Sequence, residues 1–153
     1  MLTCPIPFEG ITHSAEETEA LGAALAARMQ EDATLPPFVA LFGDLGVGKT
    51  AFTRGFITSL CPGAIVRSPT FALVHEYRGP RPIFHFDMYR ITGEDDLYSI
   101  GFYDYPDRGG ICLTEWSENI LFALPERYLS LTIEKMPLDG EDQRRITLKL
   151  IEE

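Results

Sequence analysis

The sequence predicts an α/β fold in which helices cover both faces of a mixed, mostly parallel sheet, giving three layers. An apolar run of strand length, 38–42, leads into a glycine-rich segment and then into apolar residues at helical spacing, 52–60. Two further pairs of strand-like runs lie at 70–86 and 129–150. The short connection 78–82 in the first pair and the turn residues Asp139-Gly140 in the second indicate antiparallel neighbours. A sheet with both kinds of pairing and amphipathic helices is typical of the α/β class.

The first helix is predicted to begin at Ser14, in the capping box formed by residues 14–17. The Ser14 hydroxyl can accept a hydrogen bond from the Glu17 N–H, while the Glu17 carboxylate reaches back to the cap. Apolar residues then recur every fourth position: Leu21, Leu25 and Met29. This spacing predicts an amphipathic helix that ends near Pro36 and Pro37.

The glycine-rich segment matches the P-loop, a turn that binds phosphate groups. Its residues are Gly43, Asp44, Leu45, Gly46, Val47, Gly48, Lys49 and Thr50. Glycine permits positive φ and close approach of the backbone to an anion, and the following helix adds its positive dipole end. Lys49 can reach the β- and γ-phosphates, and the Thr50 hydroxyl can bind Mg²⁺. We therefore predict a P-loop NTPase fold, with the loop and the adjacent Ala51 contacting the nucleotide.

The sequence patterns of the remaining elements differ in clarity. Residues 92–95 resemble a helix start, but the stretch 96–110 is rich in Tyr, Asp and Gly and is expected to be mostly loop. Residues 111–114 read as a buried strand that runs into Glu115 and Trp116. Leu129 to Ile133 and Ile146 to Leu150 alternate with polar neighbours, which predicts a C-terminal strand pair.

Length and composition indicate one domain over residues 1–153, with 45% hydrophobic and 24% charged residues. No apolar stretch approaches membrane-spanning length, and the first residues lack the pattern of a secretory signal. Three cysteines without a CxxC pair fit a reducing compartment without structural disulfides or zinc. We expect a cytoplasmic protein with no membrane partner.

The net charge of -10 argues against broad direct contact with nucleic acid, because binding to the phosphate backbone depends on clustered Lys and Arg. The chain contains three lysines, and Lys49 belongs to the P-loop. If the protein serves a nucleic-acid pathway, a basic partner is expected to hold the nucleic acid.

Two carboxylates could complete a hydrolytic site, since hydrolysis needs an acidic group near Mg²⁺ and a group that positions the nucleophile. Glu115 and Asp87 each end a strand-like run, where an α/β sheet presents side chains to its ligand. Alternation puts Ile83, His85 and Asp87 on one face, so His85 and Asp87 could act side by side. Thr70, in the sequence Ser68-Pro69-Thr70, is a candidate switch residue. Trp116 is more consistent with a packed aromatic than with a base-stacking platform.

Several motifs together resemble the bacterial TsaE (YjeE) family in order and spacing. They are the P-loop, Arg54-Gly55, Ser68-Pro69-Thr70-Phe71, His85-Phe86-Asp87-Met88-Tyr89-Arg90 and Glu115-Trp116-Ser117-Glu118. The resemblance implies a small ATPase that works with TsaB and TsaD in making threonylcarbamoyladenosine on tRNA, next to the anticodon. It also implies that ATP is the substrate and that Mg²⁺ is required.

The resemblance further assigns roles to individual residues. Lys49 would bind phosphate, Thr50 and Glu115 would hold Mg²⁺, and Asp87 would be needed for hydrolysis. Thr70 would lie in a switch-like loop, and Glu118 would lie close to the nucleotide. The family's base-contacting region corresponds to Thr12, His13 and Ser14. Hydrolysis would be slow without partners, and any tRNA contact would be made through them.

Two other functions fit the P-loop. A small-molecule P-loop kinase would need an arginine-bearing lid, for which Arg78, Arg81 and Arg108 are candidates. A nucleotide-dependent switch of the GTPase type is disfavoured because no Asn-Lys-x-Asp guanine-reading sequence is present.

Overall fold

The computed structural model describes residues 4–43, 48–66, 74–136 and 140–152 of the chain. The strands are β1 (Phe8–Thr12), β2 (Phe38–Phe42), β3 (Val74–Tyr77), β4 (Ile83–Asp87), β5 (Ile111–Glu115), β6 (Arg127–Lys135) and β7 (Arg144–Glu152). The α-helices are α1 (Ala15–Glu31), α2 (Lys49–Leu60) and α3 (Glu94–Ser99). Two 3₁₀ helices span Phe102–Arg108 and Ser117–Ala123. In the described ranges, every helix is too short or too polar to cross a membrane.

The described strands form one sheet in the order β1-β7-β6-β2-β5-β4-β3. Strand β2 pairs in parallel with β5 and β6, and β4 pairs in parallel with β5. The outer pairs, β1 with β7, β6 with β7 and β3 with β4, are antiparallel. Strands β1, β6, β2, β5 and β4 therefore run in one direction, which confirms the predicted mixed, mostly parallel sheet. Residues 70–73 of the predicted pair lie outside the described residues.

One face of the sheet is covered by α1 and α2, whose apolar stripes bury residues such as Leu25 and Phe56 against Leu113 and Leu131. The two helices approach closely at two glycines. A Cβ on Gly55 would lie 1.8 Å from the Glu19 carbonyl oxygen, and one on Gly22 would lie 2.2 Å from the Phe52 carbonyl oxygen. Only glycine allows the backbones to pack at this distance.

The opposite face is covered by the short helices, which corrects the expectation that 96–110 is mostly loop. Leu97 of α3 and Phe102 of the first 3₁₀ helix are buried with Phe86. The Phe86 and Phe102 rings pack edge to face with centroids 5.3 Å apart. Burial against the sheet stabilises these short helices although their local sequence lacks a clear helical pattern. The helices on both faces confirm the three-layer arrangement.

The start of α1 follows the predicted capping box with one difference. The Ser14 hydroxyl accepts from the Glu17 N–H at 3.1 Å, as expected. The Glu17 carboxylate accepts from the backbone N–H of His13 at 2.9 Å, one residue before the cap, and also bonds to the His13 ring. These bonds lower the pKa of Glu17, the backbone bond being the largest cause. The helix ends at Glu31, with Asp32 as its C-cap.

Candidate functional site

The predicted site residues that the structure describes lie at the edge of the sheet where β2, β4 and β5 end. In each of these strands the first four residues are buried and the last is partly exposed. The last residues are Phe42, Asp87 and Glu115. Because the three strands are parallel and adjacent, their carboxyl ends meet at one edge, as the sequence predicted for Asp87 and Glu115.

The P-loop follows β2 directly. Gly43 and Gly48 have φ of 136° and 108°, a region that favours glycine, and Gly48 is the N-cap of α2. The strand, the glycine positions at both ends and the helix that begins at Lys49 match the predicted context. The other predicted loop residues, Asp44, Leu45, Gly46 and Val47, lie outside the described residues.

Two contacts hold the side chain of Lys49 in place. Its side-chain ammonium donates to the Gly43 carbonyl oxygen at 2.8 Å and lies 4.0 Å from the centroid of the Trp116 ring. Lys49 is only 5% exposed, so the cation–π attraction acts on a largely desolvated charge. Trp116 is thus more than a packed aromatic: it lies under the cation that the P-loop supplies.

Hydrogen bonds between nearby residues stabilise the turn after β5. Trp116 has a positive φ of 57°, uncommon for a residue with a side chain. The Ser117 hydroxyl, which is buried, donates to the Thr114 carbonyl oxygen at 2.9 Å and lies 2.8 Å from the Thr114 hydroxyl. The carboxylate of the next residue, Glu118, accepts the Gly43 N–H at 3.1 Å. The side chain of Glu118, a predicted nucleotide-site residue, therefore contacts the backbone of the P-loop at Gly43.

Glu115 and Asp87 are aligned across β4 and β5, so their side chains leave the same face of the sheet. The Glu115 carboxylate lies 2.5 Å from the ring nitrogen Nε2 of His85. Asp87 accepts the Tyr89 N–H at 3.0 Å through Oδ1. His85 and Asp87 share one face of β4, as predicted, and the hydrogen bond of the His85 ring goes to Glu115 on the neighbouring strand.

The donor groups that remain at this edge suit Mg²⁺. Thr50 is exposed in the first turn of α2, and Glu115 adds carboxylate oxygens. The described residues include no group of three or more His, Cys, Asp or Glu that could hold a metal ion by themselves. Mg²⁺ usually binds through one or two protein oxygens together with phosphate oxygens and waters. A hydroxyl and a carboxylate beside a phosphate-binding turn fit that preference. Thr70, the predicted switch residue, lies outside the described residues.

A cleft opens beside the start of α2, on the side of β1 and β7. It is lined by Ser14, Ala15, Thr18, Gly48, Ala51, Asp142 and Arg144. Ser14 belongs to the segment that the family resemblance related to base contact, and Ala51 was predicted to contact the nucleotide. No sequence motif singles out Asp142 or Arg144. Strand β7 begins at this edge because it pairs antiparallel with β6 and β1, which aligns Arg144 with Lys135 and with Thr12.

The arginines proposed for a kinase lid lie at the opposite edge of the sheet. Arg81 precedes β4 and donates to the Met29 carbonyl oxygen at 3.3 Å. Arg108 precedes β5 and forms an ion pair with Glu76 at 2.6 Å. Arg78 follows β3, whose antiparallel direction puts its end at the same far edge. These three arginines are therefore not placed to screen a transferring phosphoryl group.

Comparisons with known proteins agree on one family. The family model described as threonylcarbamoyl adenosine biosynthesis protein TsaE matches residues 12–146. A Bacillus subtilis protein named tRNA threonylcarbamoyladenosine biosynthesis protein TsaE is 38% identical, over 92% of this chain and 84% of the relative. The protein of the same name from Haemophilus influenzae is 40% identical, over 72% of this chain and 68% of the relative.

A solved structure agrees with these sequence matches. The crystal structure of YdiB from Bacillus subtilis superposes with a TM-score of 0.64 and 36% identity, covering 92% of this chain and 83% of that one. The overall fold of this chain thus occurs in a solved structure with clear sequence similarity.

Proposed function

The chain belongs to the family of the threonylcarbamoyl adenosine biosynthesis protein TsaE, and from this premise we propose that it is a Mg²⁺-dependent ATPase of the machinery that makes threonylcarbamoyladenosine on tRNA. The observation that supports hydrolysis is the alignment of Asp87 with Glu115 at the sheet edge where Lys49 meets Trp116. A phosphate-binding cation and two carboxylates at one edge form the minimum set for splitting a triphosphate.

Different residues of the chain bind the phosphates, the nucleoside and the metal ion. The backbone at Gly48, the start of α2 and the Lys49 ammonium bind the phosphates of ATP. The nucleoside lies in the cleft between the start of α1 and Arg144. Thr50 and Glu115 hold Mg²⁺, which when bound neutralises the charge that develops on the phosphate oxygens.

Asp87 acts on the attacking water. Its Oδ1 accepts the Tyr89 N–H, which holds the carboxylate at the end of β4. The second oxygen can accept a hydrogen bond from a water and so orient it towards the terminal phosphate. Thr70 is proposed to approach the same phosphate from its switch-like segment.

The partners in this proposal are TsaB and TsaD, and hydrolysis is slow until they bind. The net charge of -10 disfavours direct contact with the tRNA backbone, so tRNA is reached through the partners. A tight, salt-sensitive complex of the isolated chain with tRNA would contradict this arrangement. A cytoplasmic location remains a prediction from the sequence.

The test is an ATPase assay on the chain alone and with TsaB–TsaD. We expect Asp87→Ala and Glu115→Ala to lower the stimulated rate at least ~100-fold, because each removes a group that acts at the reacting phosphate. Asp107→Ala and Glu126→Ala are matched controls: both carboxylates are exposed and lie at the opposite edge. Stimulated hydrolysis that survives both site substitutions would refute the assignment. Transfer of phosphate to a metabolite would support a kinase instead.

A further inference from the structure

His85 contacts the carboxylate of Glu115 from inside the protein. The histidine is 1% exposed, whereas the Glu115 side chain is 12% exposed, so the imidazole lies behind the carboxylate as seen from the sheet edge. The Nε2 to Oε2 distance is 2.5 Å. Because an ionised carboxylate can only accept, Nε2 carries the hydrogen of this bond.

We propose that His85 is a positioning residue that fixes the Glu115 carboxylate for the metal–nucleotide complex, an inference that rests on the proposed function. A bond to Oε2 selects one rotation of the carboxylate and leaves the lone pairs of Oε1 available for a cation or its water. Hydrogen bonds of this kind orient metal-binding carboxylates and strengthen their binding.

The backbone makes this positioning rigid. His85 and Glu115 lie on adjacent parallel strands, two residues out of register, with His85 opposite Leu113 and Asp87 opposite Glu115. Both strands are buried up to their last residue, so the sheet fixes the backbone positions from which the two side chains extend. The same alternation places His85 between the apolar Ile83 and Asp87, at the boundary between the core and the site.

The burial of an imidazole here is not explained by folding alone. Its second nitrogen, Nδ1, is buried and has no hydrogen-bond partner among the described residues. An apolar side chain of similar size would avoid the cost of burying that nitrogen. The advantage of histidine is therefore its Nε2 hydrogen, which reaches Glu115.

The experiment compares two variants of His85 in the full chain. His85→Gln keeps an N–H donor at the position of Nε2, and His85→Leu removes it while filling the space. The dissociation constant for ADP is measured with Mg²⁺ and again with EDTA. We expect His85→Leu to lose ~10-fold or more of the Mg²⁺-dependent gain in affinity and to keep its affinity in EDTA within about twofold. We expect His85→Gln to stay within about threefold of the unmodified chain in both conditions.

A double-mutant cycle tests whether His85 works through Glu115. If it does, His85→Leu has no further effect on Mg²⁺-dependent binding in a Glu115→Ala background. Cys112→Ala is the control for lost stability, since Cys112 is equally buried on β5 but belongs to the cluster on the other face of the sheet. If His85→Leu does not fold, His85→Asn, whose shorter amide cannot reach Oε2, takes its place in the comparison with Gln.

The outcomes separate the two proposals. Full Mg²⁺-dependent gain in His85→Leu or His85→Asn, equal losses in the Gln variant, or additive effects in the cycle would overturn the positioning role. If the unmodified chain shows no Mg²⁺-dependent binding of ADP or ATP, the proposed function fails first and the role of His85 fails with it.

Discussion

The ammonium of Lys49 lies 4.0 Å from the centroid of the Trp116 ring, so the P-loop and the turn after β5 form a single unit. The Tyr89 ring packs on the same indole, with centroids 5.0 Å apart. The residues that follow β2, β4 and β5 therefore contact one another directly, and a change in any of the three turns should alter nucleotide binding.

Replacing Trp116 tests this contact. Trp116→Ala removes a cation–π interaction with a buried ammonium, worth up to ~2 kcal/mol, and should weaken ATP binding by about tenfold. Trp116→Phe keeps an aromatic face and should lose less than about fivefold. Titration calorimetry measures both affinities, with Tyr98→Ala as control because Tyr98 is an exposed aromatic on the far layer. Equal binding by all three variants would contradict the role of the indole.

Glu118 should act on the P-loop through Gly43 rather than on the nucleotide. Its carboxylate accepts the Gly43 N–H, a bond that Glu118→Gln can keep and Glu118→Ala cannot. We expect the Ala variant to bind ATP ~3- to 10-fold more weakly, the equivalent of one hydrogen bond, and the Gln variant to bind within about twofold of the unmodified chain. If Gln is as damaging as Ala, the negative charge itself is required.

Gly55→Ala should destabilise the fold although alanine favours helices. Propensity alone predicts a gain of about 1 kcal/mol in a helix interior. The added Cβ, however, would lie 1.8 Å from the backbone oxygen of Glu19, so α1 and α2 must separate. We expect a loss of about 3 kcal/mol in the free energy of unfolding in urea. Gly93→Ala is the control, because its φ is -173° and nothing lies within 4 Å of an added Cβ. A stabilised Gly55→Ala would contradict the close packing.

The buried thiols should make stability fall at alkaline pH. Burial raises the pKa of Cys4 to about 11 and that of Cys112 to about 12, from an ordinary value of 9.0. Above pH 9 the unfolded thiols release protons that the folded thiols retain, so unfolding is favoured until the folded pKa is reached. Each thiol contributes at most about 1.4 kcal/mol per pH unit in that window.

Urea unfolding at a series of pH values checks this prediction. Cys112→Ala should show a shallower loss of stability between pH 9 and 12 than the unmodified chain. In the native state, thiol labelling should be slow and should increase on denaturation. A Cys112→Ala variant with an unchanged slope would mean that other groups cause the alkaline loss.

Local patterns account well for the elements whose signals lie within a few residues. Examples are the capping box at Ser14, the strand before Gly43 and the alternation along β6 and β7. In each case the local backbone conformation depends on residues nearby in the sequence. The prediction of a loop over 96–110 is wrong because the helices there are stabilised by the packing of Leu97 and Phe102 against the sheet. The position of Arg81 and Arg108 at the edge opposite the site could not be predicted, because it depends on the directions in which the strands run in the sheet.

The phosphate-binding turn, the family and the carboxylates that end strands can be predicted without a structure, because they depend on residue type, order and spacing. The contacts within the site, by contrast, emerge from the folded chain: Lys49 with Trp116, Glu118 with Gly43 and His85 with Glu115. These partners are separated along the chain and come together through strand order and register. Strand order and register minimise the free energy of the whole sheet, so no local stretch of sequence encodes them.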